Sequence, residues 1–300
     1  MPSSPKPAVL VTGASGFVGR HLCAYLEGLG HRVHRVQRSG DRAALLSWRV
    51  ADLAVDDIPS GAFEGVQTVI HLAACMPGEV DNGRTALMAE RVVRSACAHG
   101  VTRIVVLSSV AARIAEASPS QARAYGVHKR AAERAALNAL SSDAQCLILR
   151  PPVIYGAGAR GSFGALLGLV RRAPALPLKN ADAPRSYLSA ANLCALIAHL
   201  IGASEATWRA QSGGAFEPHD GAGVTTRDLA AMMAQRLNRP ARMFSLPKGL
   251  IALLGRITGK SDQTEAIFAP LICEDIAALE RAFGWHPHEH MPQSLTFLRP

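Results

Sequence analysis

The chain has 300 residues, of which 49% are hydrophobic and 5% are aromatic, and its formal net charge is +9 at pH 7. This length and composition predict a globular protein with one large domain, or one domain and a smaller partner. Few aromatic side chains and no zinc-finger spacing argue against nucleic-acid binding. Six cysteines without a Cys-x-x-Cys pair argue against disulfides and against a metal site.

The N-terminal residues lack the charged start and apolar middle of a signal peptide. No stretch reaches the roughly 18 apolar residues that a membrane span needs. We therefore expect a cytoplasmic protein without a membrane span. The positive charge is compatible with nucleic acid, an acidic membrane surface or an anionic small substrate, and charge alone does not choose among them.

The N-terminal half alternates short apolar runs with helical stretches. Strands are predicted at 8–13, 31–38, 68–74, 103–109 and 146–152, and helices at 17–30, 84–100 and about 120–140. Because strands that alternate with helices form a parallel sheet covered on both faces, the predicted fold class is α/β with a doubly wound parallel sheet.

The composition changes after Tyr155. A glycine-rich loop is predicted at 156–168 and a proline-bearing segment at 172–186, followed by helices near 190–202, 225–238, 247–259 and 274–284. The helix at 247–259 is basic and amphipathic, which permits a membrane-surface role, but packing against neighbouring helices is favoured. We predict a first domain at 1–155, to which 183–203 returns, and a smaller, mostly helical region at 156–300.

The glycines of the stretch AVLVTGASGFVGRHL suggest a phosphate-binding turn. Gly13 follows a predicted strand, and Gly19 lies inside the next helix. In this context Gly13 allows the tight turn, Gly16 lets the backbone approach a pyrophosphate, and Gly19 lets the helix pack closely. The helix N-terminus then faces the phosphates of a dinucleotide. A simple strand-to-helix turn is the alternative. The residues predicted to contact the cofactor here are Gly13, Ser15, Gly16, Phe17, Val18 and Gly19.

The end of the second strand bears on the identity of the cofactor. NAD-preferring enzymes usually carry an acidic residue here that binds the ribose hydroxyls, whereas this chain has Gln37 and Arg38. An arginine can pair with the 2′-phosphate of NADP. We therefore predict NADP, contacted by Arg38, with NAD as the alternative if the arginines of this region are only solvated.

Tyr125 and Lys129 lie one turn apart on a predicted helix. A tyrosine hydroxyl titrates near 10 in water, so it needs a nearby positive charge to exchange protons at neutral pH, and Lys129 supplies one. The preceding strand ends in Ser109, at the carboxyl edge where parallel sheets bind ligands. A serine at this position can hold a substrate oxygen; its structural alternative is to cap a turn.

Together these motifs resemble the extended short-chain dehydrogenase/reductase superfamily, in its nucleotide-sugar epimerase and dehydratase branch. The resemblance spans nearly the whole chain and implies a Rossmann domain with a smaller substrate-binding domain. The motifs that carry it are TGASGFVG at 12–19, ADL at 51–53, HLAA at 71–74, YGVHK at 125–129 and RPPVIYG at 150–156.

The resemblance assigns roles to individual residues. It implies that Tyr125 exchanges the proton, that Lys129 binds the nicotinamide ribose and tunes Tyr125, and that Ser109 orients the reacting oxygen. Asp52 would hydrogen-bond the adenine amine. The other residues implied to contact the cofactor are Leu53, Leu72, Ala73, Ala74 and Pro152.

The stretch after Tyr155 resembles bacterial enzymes of O-antigen and capsule assembly that act at C4 of UDP-linked sugars. This resemblance implies that Arg185 lies near the substrate diphosphate and that Arg160 and Ser162 cross the nucleotide. Val153 stands where UDP-galactose epimerases typically carry an asparagine. Ala191 stands where an aspartate is often found in these enzymes. The identity of the substrate is therefore less specified than the cofactor chemistry. A homodimer is a further family expectation.

Three interpretations of the function remain. The favoured one is reduction of a 4-keto sugar on a nucleoside diphosphate by NADPH, with Tyr125 as the proton donor. The second is 4-epimerisation, in which a retained NAD oxidises C4 and then returns the hydride. The third comprises a reductase of small carbonyl compounds and a non-catalytic NADP-binding sensor.

Overall fold

The computed structural model describes residues 6–38, 46–76, 79–247, 249–250, 268–274 and 276–299. It divides into two compact units. The first comprises Met1–Pro151, Leu193–Pro218 and Ala277–His286, and the second comprises Pro152–Asn192, His219–Ile276 and Pro287–Pro300. The segment predicted to return to the first domain, 183–203, is shared in this division: 183–192 belongs to the second unit and 193–203 to the first.

The regular elements follow the predicted alternation through the first 150 residues. The strands are β1 (Ala8–Thr12), β2 (Val33–Gln37), β3 (Ser47–Arg49), β4 (Val66–His71), β5 (Arg103–Leu107), β6 (Gln145–Leu149), β7 (Val153–Tyr155), β8 (Pro184–Arg185), β9 (Tyr187–Ser189), β10 (Ala215–Phe216) and β11 (Val224–Thr225). The helices are α1 (Phe17–Gly28), α2 (Arg84–Ala98), α3 (Val110–Ala117), α4 (Ala124–Asn138), α5 (Gly161–Arg172), α6 (Ala190–Gly202), α7 (Glu205–Gln211), α8 (Thr226–Arg236) and α9 (Ala277–Phe283).

The first unit is built on a seven-stranded sheet in the order β10-β6-β5-β4-β1-β2-β3. All of its strand pairs are parallel. Strands β1 and β6 are buried along their whole length, as expected of a parallel sheet covered on both faces. Their apolar side chains pack with those of α2 and α4. The predicted fold class is confirmed.

Four of the described helices differ from the sequence predictions. The short helices α3 and α7 are not among the predicted ones. The helix α4, which carries Tyr125 and Lys129, begins at Ala124, after a 3-10 turn at Pro119–Gln121, rather than near residue 120. The predicted loop at 156–168 is wrong, because α5 begins inside it at Gly161 and buries Phe163 and Val170. The glycines in this stretch are typical of a loop, so the helical spacing of its apolar residues was not recognised as a helix.

The second unit has its own small core. Strands β7 and β9 pair in parallel, and β8 pairs antiparallel with β11. Apolar residues from α5 and α8 pack with Tyr155 and Leu295. The buried carboxylate of Asp220 accepts hydrogen bonds from the Tyr155 hydroxyl at 2.6 Å and from the Asn192 side chain at 2.7 Å. These bonds tie β7, the start of α6 and the 219–220 segment together.

Two helices were predicted near the C-terminus, at 247–259 and at 274–284. Most of the predicted helix at 247–259 lies outside the described residues. The predicted helix at 274–284 corresponds to α9 and belongs to the first unit. Within the described ranges, no single helix is both long and apolar enough to cross a membrane; α6 and α7 meet those criteria only as a pair, with a 112° bend between them.

Candidate active site

The glycine turn between β1 and α1 is too tightly packed for side chains. Gly13 has a φ of +67°, and a Cβ there would lie 2.9 Å from the backbone nitrogen of Ala73. A Cβ on Gly19 would lie 2.3 Å from the carbonyl oxygen of Gly13, well inside van der Waals contact. The turn therefore brings α1 against β1 and places the predicted cofactor residues of the 71–74 segment beside Gly13.

The N-terminus of α1 is open to an anion. Gly16 is its N-cap, no side chain caps it, and its first turn carries no acidic residue. Unpaired amides at a helix start attract phosphate through their hydrogens and the helix dipole. The residues present therefore fit the pyrophosphate of a dinucleotide.

Thr12 and His71 form a buried pair that sequence analysis did not identify. Their Oγ1 and Nδ1 atoms are 2.8 Å apart, and burial lowers the pKa of His71 to about 3. The ring is therefore neutral at working pH, and its Nδ1 shares one hydrogen bond with the Thr12 hydroxyl. The amides of Leu72 and Ala73 donate to the same Thr12 oxygen at 3.3 and 3.4 Å. This pair fixes the 71–74 segment next to the glycine turn.

The predicted catalytic residues meet at the carboxyl edge of the sheet. Ser109 follows β5 and caps α3, where its Oγ accepts a hydrogen bond from the Ala111 amide at 3.3 Å. Tyr125 lies in the first turn of α4, and its hydroxyl is hydrogen-bonded to the Ser109 side chain. Burial raises the pKa of Tyr125, and the bond to Ser109 partly opposes this shift. Both functions weighed for Ser109, turn cap and partner of a reacting oxygen, are compatible with this geometry.

Lys129 is buried one turn after Tyr125. Its Nζ donates to the carbonyl oxygen of Leu107, at the end of β5, at 2.9 Å. Burial lowers the pKa of Lys129 to about 8. The close packing of α4 explains how the pair is held, because a Cβ on Gly126 would lie 2.4 Å from the carbonyl oxygen of Ala111.

The adenosine end of the predicted cofactor site has two features. Gln37 is buried at the end of β2 and donates to Ser47 Oγ at 3.4 Å, whereas Arg38 is exposed. The Asp52 carboxylate forms an ion pair with Arg84 at 2.5 Å and accepts the Ala54 amide at 3.0 Å. The bond from Arg84 lowers the pKa of Asp52, so this carboxylate is ionised and already paired.

The predicted substrate residues lie on different elements of the second unit. Arg160 and Ser162 are exposed at the start of α5. Arg185 lies on β8, and its Nη1 donates to the carbonyl oxygen of Ala269 at 2.7 Å. Pro152, assigned to the cofactor by resemblance, is buried and opens the second unit.

Comparison with known proteins identifies the family. The model of the NAD dependent epimerase/dehydratase family matches residues 9–210. The chain is 27% identical to a UDP-glucose 4-epimerase of Vibrio cholerae over an alignment of 322 positions, which covers 97% of this chain and 92% of that protein. It is 32% identical to a ceramide reductase of Caulobacter vibrioides over 187 residues, which cover 59% of this chain and 56% of the reductase.

Among solved structures, MoeE5 in complex with UDP-glucuronic acid and NAD has the same fold. The two structures superpose with a TM-score of 0.73. The superposition covers 97% of each chain, and the two sequences are 22% identical. The family match covers more than half of the chain and includes the glycine turn, Ser109, Tyr125 and Lys129. The chain therefore belongs to the NAD-dependent epimerase/dehydratase family and is an NAD(P)-dependent enzyme.

Proposed function

We propose that the chain reduces the C4 keto group of a nucleotide-linked sugar, with Tyr125 as the proton donor. The observation that carries this proposal is the contact between the Tyr125 hydroxyl and Ser109, one helical turn from the buried Lys129. When bound, the nicotinamide supplies the hydride. Ser109 and Tyr125 then hold the carbonyl oxygen, and Tyr125 donates its proton to the alkoxide as it forms.

The protonation states of Tyr125 and Lys129 support this division of roles. Burial raises the pKa of Tyr125, so the phenol carries a proton at neutral pH and is ready to donate it. Lys129, with a pKa of about 8, is mostly charged at pH 7. Its ammonium stabilises the phenolate that remains after the proton has left.

The end of β2 supports NADP as the preferred cofactor. Gln37 places an amide where NAD-preferring enzymes carry a carboxylate, so no negative charge at this position repels a 2′-phosphate. The exposed Arg38 is proposed to pair with that phosphate. In the second unit, Arg185 is proposed to bind the substrate diphosphate, and Arg160 and Ser162 to contact the nucleotide.

Similarity to known proteins supports two further candidates. The similarity to a UDP-glucose 4-epimerase over 97% of this chain supports 4-epimerisation with retained NAD, in which Tyr125 first accepts and then returns the proton. The similarity to a ceramide reductase over 59% of the chain supports reduction of a carbonyl compound that carries no nucleotide. All three candidates use the same catalytic residues.

One purification and three assays separate these candidates. The protein is denatured, and the released cofactor is identified by mass spectrometry. NADPH oxidation that depends on a nucleotide-linked 4-keto sugar supports the proposal. Retained NAD, together with interconversion of UDP-glucose and UDP-galactose without net redox change, replaces it with epimerisation. Turnover of a long-chain ketone without nucleotide replaces it with the third candidate.

A further inference from the structure

Glu133 is a buried carboxylate for which the proposed mechanism has no use. It follows Tyr125 and Lys129 on α4 at steps of four residues, which places all three side chains on one helix face. Its side chain is 0% exposed. A carboxylate is rarely buried so completely unless it is paired. Its environment therefore indicates what it does.

Glu133 is bonded to the ends of two strands. The Ser108 hydroxyl donates to its Oε1 at 2.5 Å, and Ser108 is the residue before Ser109 at the end of β5. Arg150, directly after β6, donates to both carboxylate oxygens at 2.8 and 2.7 Å. Glu133 therefore joins the helix that carries Tyr125 and Lys129 to the strand end that carries Ser109.

A second carboxylate completes the charge balance of this cluster. Arg130 donates to Glu133 at 3.1 Å and also to Glu116 of α3, and Arg150 bonds Glu116 at 3.0 Å. Two arginines thus face two glutamates. Glu116 is exposed, whereas Glu133 is fully buried, so of these two glutamates it is Glu133 that acts on the buried Lys129.

Besides Tyr125, one helical turn before it, four titratable groups among the described residues act on Lys129. Glu133 does so from its own helix, and Asp81, Cys75 and His71 do so from the segments around β4 and α2. Burial is the largest influence on Lys129 and disfavours its charge, whereas Glu133 is the largest opposing influence. His71 is neutral at working pH, because its own pKa is about 3.

We infer that Glu133 is a positioning residue that holds the Ser109 end of β5 against α4 and keeps the Lys129 ammonium charged. The inference rests on the proposed function in one respect, since it takes Lys129 as a cofactor contact. A charged amine binds ribose hydroxyls more strongly than a neutral one. Cofactor affinity should therefore fall as Lys129 loses its proton, about tenfold if one charged hydrogen bond is weakened.

The test is the pH dependence of NADPH and NADH binding, measured by fluorescence titration between pH 6 and 10. In the wild type we expect affinity to fall with a midpoint near the Lys129 pKa of about 8. Glu133→Gln removes the negative charge and leaves the two arginines in place, so the midpoint should move to lower pH by about one unit. Glu116→Gln is the matched control: it removes the exposed carboxylate that the same two arginines bind, so it should move the midpoint by less than Glu133→Gln does.

Two further variants keep the inference falsifiable if Glu133→Gln does not fold. Arg130→Gln removes a partly exposed cation from the same carboxylate, so the midpoint should move to higher pH. Ser108→Ala breaks the bond to the strand end but keeps the charge, so it should lower turnover without moving the midpoint. An unmoved midpoint in both Glu133→Gln and Arg130→Gln, or equal movement in Glu116→Gln, overturns the inference.

These outcomes are distinct from failure of the proposed function. Cofactor binding is measured without any sugar, so a shifted midpoint in a protein that turns over no nucleotide sugar upholds the role of Glu133 and rejects the substrate assignment. A normal sugar reductase whose midpoint is insensitive to Glu133 gives the reverse result.

Discussion

The two units differ in how their proposed functional residues are held. In the first unit, Ser109, Tyr125 and Lys129 come from one strand end and one helix, and hydrogen bonds fix Tyr125 to Ser109 and Lys129 to Leu107. In the second unit, Arg160 precedes the helix α5, and Arg185 lies on the separate two-residue strand β8. The first unit therefore holds its proposed catalytic residues by hydrogen bonds, whereas the second places its candidate residues near the surface.

This difference reflects what each task requires. Proton transfer needs heavy atoms within hydrogen-bond distance, and that geometry is best fixed by the ends of buried strands. Specificity for a substrate is commonly built on loops, which change without disturbing the sheet. We therefore expect changes in the first unit to abolish catalysis or cofactor binding, and changes in the second to alter substrate affinity alone.

The strongest test of this division is Tyr125→Phe in the first unit. The variant keeps the ring and removes the proton, so turnover should fall by about 10²–10⁴-fold. Cofactor affinity should stay within about twofold, because the glycine turn and Lys129 are untouched. Steady-state kinetics and NADPH titration measure both quantities. A loss of turnover below tenfold would reject Tyr125 as the proton donor.

The second test compares two glycines of α1. Gly19→Ala puts a Cβ 2.3 Å from the Gly13 carbonyl oxygen, so the helix start must move and dinucleotide affinity should fall at least tenfold. Overpacking of this kind also costs about 1–3 kcal/mol of the free energy of unfolding. Cofactor titration and thermal unfolding report the two effects.

Gly28→Ala is the matched control on the same helix. A Cβ there meets no atom within 4 Å, and alanine has a higher helix propensity than glycine. Unchanged cofactor affinity and an equal or higher Tm are expected. If both variants lose affinity equally, the close approach at Gly19 is not what holds the phosphates.

The third test concerns cofactor choice and the end of β2. Arg38→Asp should weaken NADPH binding by about 10–100-fold, since a paired charge is replaced by a repelling one, while NADH binding changes by less than about twofold. Titration with both cofactors measures the ratio. Equal losses would show that Arg38 does not contact the 2′-phosphate, and would favour NAD as the working cofactor.

The features that the sequence predicts correctly depend on the spacing of residues that are close together in the chain. The apolar run of β1, the glycines after it, and the four-residue step from Tyr125 to Lys129 are short patterns whose geometry follows from strand and helix periods. The parallel sheet followed from their alternation, and the structure confirms it. The start of α4 was misplaced, because the 3-10 turn at Pro119–Gln121 lacks a distinct pattern.

The residues that the sequence did not reveal act through long-range contacts. Thr12 and His71 are 59 positions apart, and Ser108 and Glu133 are 25 apart, so no local periodicity connects them. Glu133 is a polar residue in a helix and reads as solvated until its burial is known. The Asp52 ion pair with Arg84 likewise joins separate segments, and the predicted adenine contact of Asp52 stays a prediction.

The smallest expected effect lies in the second unit, where Arg185→Gln is compared with Arg160→Gln. If Arg185 binds the substrate diphosphate, its variant should raise the KM of the nucleotide sugar by about tenfold with kcat unchanged, the loss expected for a charge-assisted hydrogen bond. Arg160→Gln should raise KM less, because its side chain is exposed to solvent. Arg185 also bonds the Ala269 carbonyl, so thermal unfolding must be measured alongside. A lower Tm with an unchanged KM would assign Arg185 to the fold of the second unit and leave the diphosphate to other residues.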